Sequence, residues 1–185
     1  DKDERFVRAF GVAGQFKPVD AAISGDKLFV VDIKDHEIEV LNKYSGVLLY
    51  KIGRAGSKAG ELYHPTNIKI GPDNHLYVSD TTNSRVQKIT LDGRYVQSFG
   101  SIGTSIGQFA RPKGIALDKE GRLYVVDAAF ENVQVMNPDG RILMFFGAPG
   151  GNPDNINLPV DIEIDYDNTA LFQGYAHPDF RLEYI

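Results

Sequence analysis

The sequence predicts an all-β fold, a β-propeller of four-stranded antiparallel blades, and three observations carry that prediction. Pro18, Pro65, Pro112 and Pro159 recur at a spacing of 47 residues. A fixed period in the range of about 40–50 residues is the mark of blade-type repeats. Each later proline leads into a short apolar alternation, Ile68 and Ile70, Ile115 and Leu117, Ile162 and Ile164, and a period of two is the pattern of a half-buried strand. Asp92-Gly93 and Asp139-Gly140, with Ser45-Gly46 in the first block, then supply hairpin turns at matching places. No helical period of useful length accompanies them.

The elements follow in order within each block. The strand after the proline ends at a turn, Gly71-Pro72-Asp73-Asn74 or Asp118-Lys119-Glu120-Gly121. A second strand reads Leu28-Phe29-Val30-Val31-Asp32, Leu76-Tyr77-Val78-Ser79-Asp80 and Leu123-Tyr124-Val125-Val126-Asp127. A third carries Ile38 and Val40, Val86 and Ile89, Val133 and Val135, and the fourth closes on Ile52-Gly53, Phe99-Gly100 and Phe146-Gly147. One blade cannot bury both of its faces, so blades must stack, with Phe29, Tyr77, Tyr124, Phe99 and Phe146 as packing residues. The repeats span 12–53, 54–100, 101–147 and 148–185, and 5–11 reads as a stray outer strand. The fourth block loses the pattern. Leu171-Phe172-Gln173-Gly174 stands where a second strand is due, yet Arg181-Leu182-Glu183-Tyr184-Ile185 resembles the start of one, with an insertion over 168–180 between. About four blades are therefore expected, in a closed four-bladed ring or, as the irregular end favours, in part of a longer propeller. Open blade edges in such a piece would favour self-association.

Composition narrows the function classes. Twenty Lys and Arg stand against 25 Asp and Glu, a net charge of −5, which disfavours nucleic acid and anionic membranes as partners. No stretch approaches the length of a membrane span. The absence of cysteine removes disulfides, thiolate metal sites and thiol nucleophiles. The first residues, Asp1-Lys2-Asp3-Glu4-Arg5, read as a mature or trimmed start.

The string Leu76-Tyr77-Val78-Ser79-Asp80-Thr81-Thr82-Asn83-Ser84-Arg85-Val86-Gln87-Lys88, with the Gly-x-Phe-x-x-Pro-x-Gly-Ile lead-in over Gly107 to Ile115, resembles the NHL repeat. The resemblance covers nearly all of the chain and implies a propeller of about six blades. The first and third blocks depart from it: Asp35 and Phe130 replace Asn83, and Glu37 and Asn132 replace Arg85. The irregular 166–180 stretch resembles the final-blade region of bacterial, extracytoplasmic NHL proteins.

Propellers place ligands at the channel mouth, so the residues flanking each proline are the candidate site. Lys17, His64, Arg111 and Leu158 precede the prolines, and Asp20, Asn67, Gly114 and Asp161 stand two places after them, with Lys113 between. Equivalent positions that vary over a constant scaffold suggest roles beyond scaffold. Asp20, Asn67 and Asp161 offer oxygen ligands for a hard cation such as Ca2+ at that mouth; the alternative is that they cap strand starts or bind channel water. The repeated Asp32, Asp80 and Asp127 read instead as structural acceptors for turn amides, since one active site does not need three copies. The glycine-rich connections 100–107 and 147–151 lead into strands, not into a phosphate-binding helix. No nucleophile elbow is visible.

The preferred function is a non-catalytic binding or scaffold propeller that takes a protein or peptide partner through its loop faces and channel mouth. The alternative is a metal-dependent lyase, as in the peptide-amidating lyases that share the resemblance; it needs several histidines around a channel metal, and His64 is the one suitably placed. RNA binding, known for other NHL domains, needs a basic face, and Asp20 and Asp161 share the rim with Lys17, Arg111 and Lys113.

Overall fold

The computed structural model describes residues 5, 6, 8–11, 14–152, 155–179 and 181–185. Among the described residues, twelve strands form three four-stranded sheets, each in sequence order. The first holds β1 (Pro18–Ser24), β2 (Lys27–Asp32), β3 (Glu37–Asn42) and β4 (Leu48–Ile52). The second holds β5 (Pro65–Ile70), β6 (His75–Asp80), β7 (Arg85–Thr90) and β8 (Tyr95–Phe99). The third holds β9 (Pro112–Leu117), β10 (Leu123–Asp127), β11 (Asn132–Met136) and β12 (Ile142–Phe146). All pairings are antiparallel. The register repeats from blade to blade: Pro18 pairs with Asp32, Pro65 with Asp80 and Pro112 with Asp127. A proline suits the first position of an inner strand because no ladder hydrogen bond is lost there.

The proline-led strands β1, β5 and β9 lie side by side, so they are innermost and the blades radiate from them. Alternation along each strand then sends one set of side chains to each neighbouring blade. Phe29, Val31, Ile38, Val40 and Ile52 of the first blade meet Ile68, Leu76, Val78 and Ile89 of the second. Tyr77, Val86 and Phe99 on the second blade's other face meet Ile115, Leu123, Val125 and Met136 of the third. Ala116, Tyr124, Val126, Val133 and Val135 pack against Ile156, Ile162, Ile164 and Tyr184 of the fourth block.

The connections are stapled by one apolar residue each. Leu62 exchanges backbone bonds with Arg54 and Gly56, and Phe109 with Ser101 and Gly103. Leu62 and Phe109 lie fully buried against the glycines that end the preceding blades, Gly53 and Gly100, where φ is +83° and +77° and no Cβ fits.

The fourth block differs from the three before it. Among its described residues no strand is assigned, and a one-turn helix, α1 (Thr169–Gln173), occupies the expected insertion. Gly114 donates to the Val160 carbonyl, and Asp165 and Ile185 exchange two backbone bonds. The return pairing therefore begins at Ile185 rather than at Arg181, four residues later than resemblance to the third block suggests. The expected outer strand 5–11 is not assigned as strand over its described residues; Val7 lies outside them, as do Val12 and Ala13 of the first repeat. The Arg8 guanidinium there donates to the Tyr44 carbonyl at the β3–β4 turn.

A part-buried network ties the second blade's first turn. Asp73 accepts from the Lys88 ammonium at 2.6 Å and from the Tyr77 hydroxyl at 3.0 Å. Burial pushes the Asp73 carboxyl up, but the Lys88 and Tyr77 hydrogen bonds and the Lys88 charge outweigh it and hold the carboxyl below its usual 3.8. A carboxyl depressed by folding stabilises fully above its unfolded value and loses that contribution as pH falls through the folded one. Asp73→Asn should therefore lower Tm by about 2 °C at pH 7, after screening at this part-exposed site. The difference from the parent should shrink as pH falls below 3.8, the ordinary value of the carboxyl, and through its lower folded value. Parallel Tm–pH curves for the two proteins would refute this.

Candidate functional site

The end of the blades where the proline strands begin carries the candidate site, and the repeated aspartates build it. Asp32 Oδ1 accepts the amides of Lys17, Lys34 and Asp35 at 3.0, 2.9 and 3.4 Å. Asp127 accepts those of Ala110, Arg111, Ala129 and Phe130. Asp80 takes the Tyr63 amide at 2.7 Å. Each carboxylate is fully buried and clamps its own turn to the residues just before the proline. Asp32 and Asp127 accept amides of the following turn as expected, whereas Asp80 takes the Asn83 side chain there instead. In addition, Asp32 and Asp127 fix the rim residues Lys17 and Arg111, and Asp80 fixes Tyr63.

The rim itself varies. His64, at φ +50°, donates its amide to His36 Nδ1 at 3.1 Å. The His36 ring stacks on Tyr63 at 4.6 Å and meets His64 edge-on at 4.5 Å. His64 Nδ1 lies 3.2 Å from the Thr82 hydroxyl. Because Nδ1 of His36 accepts, neutral His36 carries its proton on Nε2, and the tautomer is fixed by the neighbouring blade. At the next rim position but one, the Leu158 amide donates to Glu131 in the same manner. The rule is geometric: the turn after the second strand of one blade lies beside the pre-proline residue of the next. The 47-residue repeat marks these positions as equivalent from block to block, but that His36 and Tyr63 meet His64 follows from how the blades lie beside one another.

The inner strands carry a second cluster. Asp20 accepts its neighbour's amide from Ala21 and, with Oδ2, the Ile68 amide of β5 at 2.9 Å. It brackets two blades together. Asp161 accepts the Ile162 amide at 2.9 Å. Lys69, two places beyond Asn67 on β5, pairs with Glu163 of the fourth block. Burial pushes the Lys69 ammonium down, but the Glu163 hydrogen bond and the charges of Glu163, Asp161 and Asp20 hold it above its usual value. A positive side chain thus already lies among the carboxylates considered for a cation. Position four after the proline, Lys69 and Glu163, faces the same space as position two, and the alternation of a strand could have identified it. Lys113, half-buried on β9, is pushed down by burial and by the charge of Arg111. Gly114 has the Asp161 backbone where its Cβ would stand, which explains the smallest residue in that ring.

Behind the rim, the first and third blades depart from the second. In the second blade, Asp80 also accepts from Asn83 Nδ2, Arg85 Nε and Gln87 Nε2. The same three side chains hold the incoming connection: Asn83 reaches the Gly56 carbonyl, Arg85 those of Lys58 and Glu61, and Gln87 that of Glu61. In the third blade Gln134 keeps its part, bonding Gly107 and Gln108. Phe130 and Asn132 do not replace the other two, and a pocket of about 330 Å3 opens beside them, lined also by Thr104, Ser105 and Phe145. In the first blade the corresponding set is Asp32, Glu37 and Glu39. Among the described residues, these form the one group of three His, Asp or Glu side chains close enough to share an ion.

Residues 62–89 match the family model of the NHL repeat. No curated protein sequence is significantly similar to the chain. Solved structures share its fold at low identity. A chain of a nidogen/laminin complex superposes with a TM-score of 0.64 at 21% identity, over 88% of this chain and 57% of that one. Hydrazine synthase of Kuenenia stuttgartiensis gives 0.62 at 16%, over 89% and 44%. A catalytically inactive virginiamycin B lyase from Staphylococcus aureus, solved with quinupristin, gives 0.59 at 21%, over 78% and 44%. The chain spans about half the length of these structures.

Proposed function

We propose that this chain, built on an NHL repeat and two further blades of the same design, is a non-catalytic binding module that holds a protein or peptide across its rim. The observation that carries the proposal is the His36–Tyr63–His64 cluster. It presents aromatic and imidazole surface at a blade boundary, on backbone that Asp32 Oδ1 and Asp80 Oδ1 hold from beneath through the Lys17 and Tyr63 amides. Lys17, Arg111 and Lys113 add positive charge beside it, and Asp20, Asn67 and Asp161 complete the channel mouth. Aromatic and arginine side chains are the usual anchors of such contacts. Coverage of about half of each matching structure supports a place in a ring of about six blades. A peptide displayed library selected against the purified chain tests the role. Selected peptides should weaken at least tenfold on Tyr63→Ala, His64→Ala or Arg111→Ala, and keep their affinity for the outer-turn variant Arg94→Ala. Failure to select any peptide, or binding indifferent to the rim variants, would refute it. A lyase reading draws on the His36–His64 contact; tightly held stoichiometric zinc that is lost in His64→Ala would favour it instead.

A further inference from the structure

The first blade presents three carboxylates where the second presents one carboxylate and two donors. Asp32, Glu37 and Glu39 occupy the places of Asp80, Arg85 and Gln87, as the strand pairings Asp32–Glu37 and Asp80–Arg85 show. In the second blade, Asp80 Oδ2 receives the Arg85 and Gln87 donors. The corresponding oxygen, Asp32 Oδ2, is buried and accepts nothing, and neither does Glu39 Oε2. Asp32 is fully buried and Glu39 is 3% exposed. A buried acceptor without a donor is strongly disfavoured, and an anionic one more so. Lys51 meets Glu37 and lies 3.5 Å from Glu39 Oε1, so it supplies one positive charge against three formal negatives and touches neither orphaned oxygen.

We propose that Asp32, Glu37 and Glu39 bind a divalent hard cation of the calcium class, with Asp32 Oδ2 and Glu39 Oε2 as its buried ligands. The three carboxylates each contribute an oxygen to a group no more than 4.8 Å across, the span of ligands about 2.4 Å from a central ion, which is a calcium–oxygen distance. The ion replaces in the first blade what the Arg85 guanidinium and Gln87 amide do in the second, and a charge of two balances the group with Lys51 in place. This site lies in the blade, apart from the channel-mouth ring of Asp20, Asn67 and Asp161, and it does not depend on the rim's binding role.

The test uses the 185-residue chain after EDTA treatment and dialysis. Calcium chloride near 100 times its Kd should raise Tm by about 5 °C or more, and calorimetry should show one ion per chain. Magnesium, which needs a smaller and more regular shell, should give the weaker response. The double variant Glu37→Arg/Glu39→Gln carries the second blade's own side chains. It should match or exceed the parent's Tm in EDTA and lose the calcium response. The proposal is overturned if calcium gives neither heat nor a Tm shift in the parent, if sodium chloride at matched ionic strength reproduces the shift, or if the double variant responds like the parent. A surviving response in the variant would place the ion elsewhere, with Asp20→Asn and Asp161→Asn as the variants that then locate it.

Discussion

Asp80→Ala is expected to lower the stability of the chain by about 3–5 kcal/mol. The carboxylate is fully buried and accepts from the Tyr63 amide, Asn83, Arg85 and Gln87. Its removal leaves the Arg85 Nε, the Tyr63 amide and the Asn83 and Gln87 amides facing a buried vacancy without their shared acceptor. Breaking one side of a buried ion pair is far worse than replacing the whole pair, because the remaining charge is uncompensated. The loss should propagate beyond the second blade, since Arg85 and Gln87 also hold the connection arriving from the first. Urea unfolding of the variant, compared at constant m-value, measures it. A loss under about 1 kcal/mol, the level of an ordinary hydrogen bond, would show that the network is replaceable.

The second large effect is expected at Phe109. It is fully buried between the second and third blades and is fixed by backbone bonds to Ser101 and Gly103. Phe109→Ala should cost about 3–5 kcal/mol through lost transfer energy and the cavity left behind. Gly100 makes the site diagnostic. A Cβ there would stand 2.3 Å from the Phe109 ring, at a φ of +77°. Gly100→Ala is therefore doubly disfavoured in the parent, by collision and by backbone strain. In a Phe109→Ala background the collision is gone and only the strain remains. The double variant should be more stable than the sum of the single losses predicts, by about 1 kcal/mol or more. Additive losses, read by thermal or urea unfolding, would mean that the two residues do not pack as described.

The blades were legible in the sequence because their causes are local and repeated. The proline that opens β5, the alternation Ile68–Ile70 and the turn Asp92-Gly93 each act within a few residues, and the 47-residue period multiplies the signal. The aspartates were legible for the same reason: Asp32 and Asp127 receive amides of the turn immediately following. The site was less so. The His36–His64 contact joins turns of different blades, and the Lys69–Glu163 pair passes from β5 to the fourth block beyond the intervening β9. Such contacts depend on how blades are placed beside one another, which no single block encodes. The departures Glu37 and Asn132 were visible as breaks in a pattern. What the breaks do, an acidic group in one blade and an open pocket in another, follows only when the partners of Arg85 and Gln87 are known.

The grip of the second and third blades on the connections before them also orders events in time. The connection 54–62 leaves β4, yet its carbonyls are secured by Asn83, Arg85 and Gln87. During synthesis at about 5–20 residues per second, those side chains emerge seconds after the segment they hold. The first two blades are thus each completed from behind by the next one made, and until then each of these boundaries waits, unlatched, for sequence still inside the ribosome.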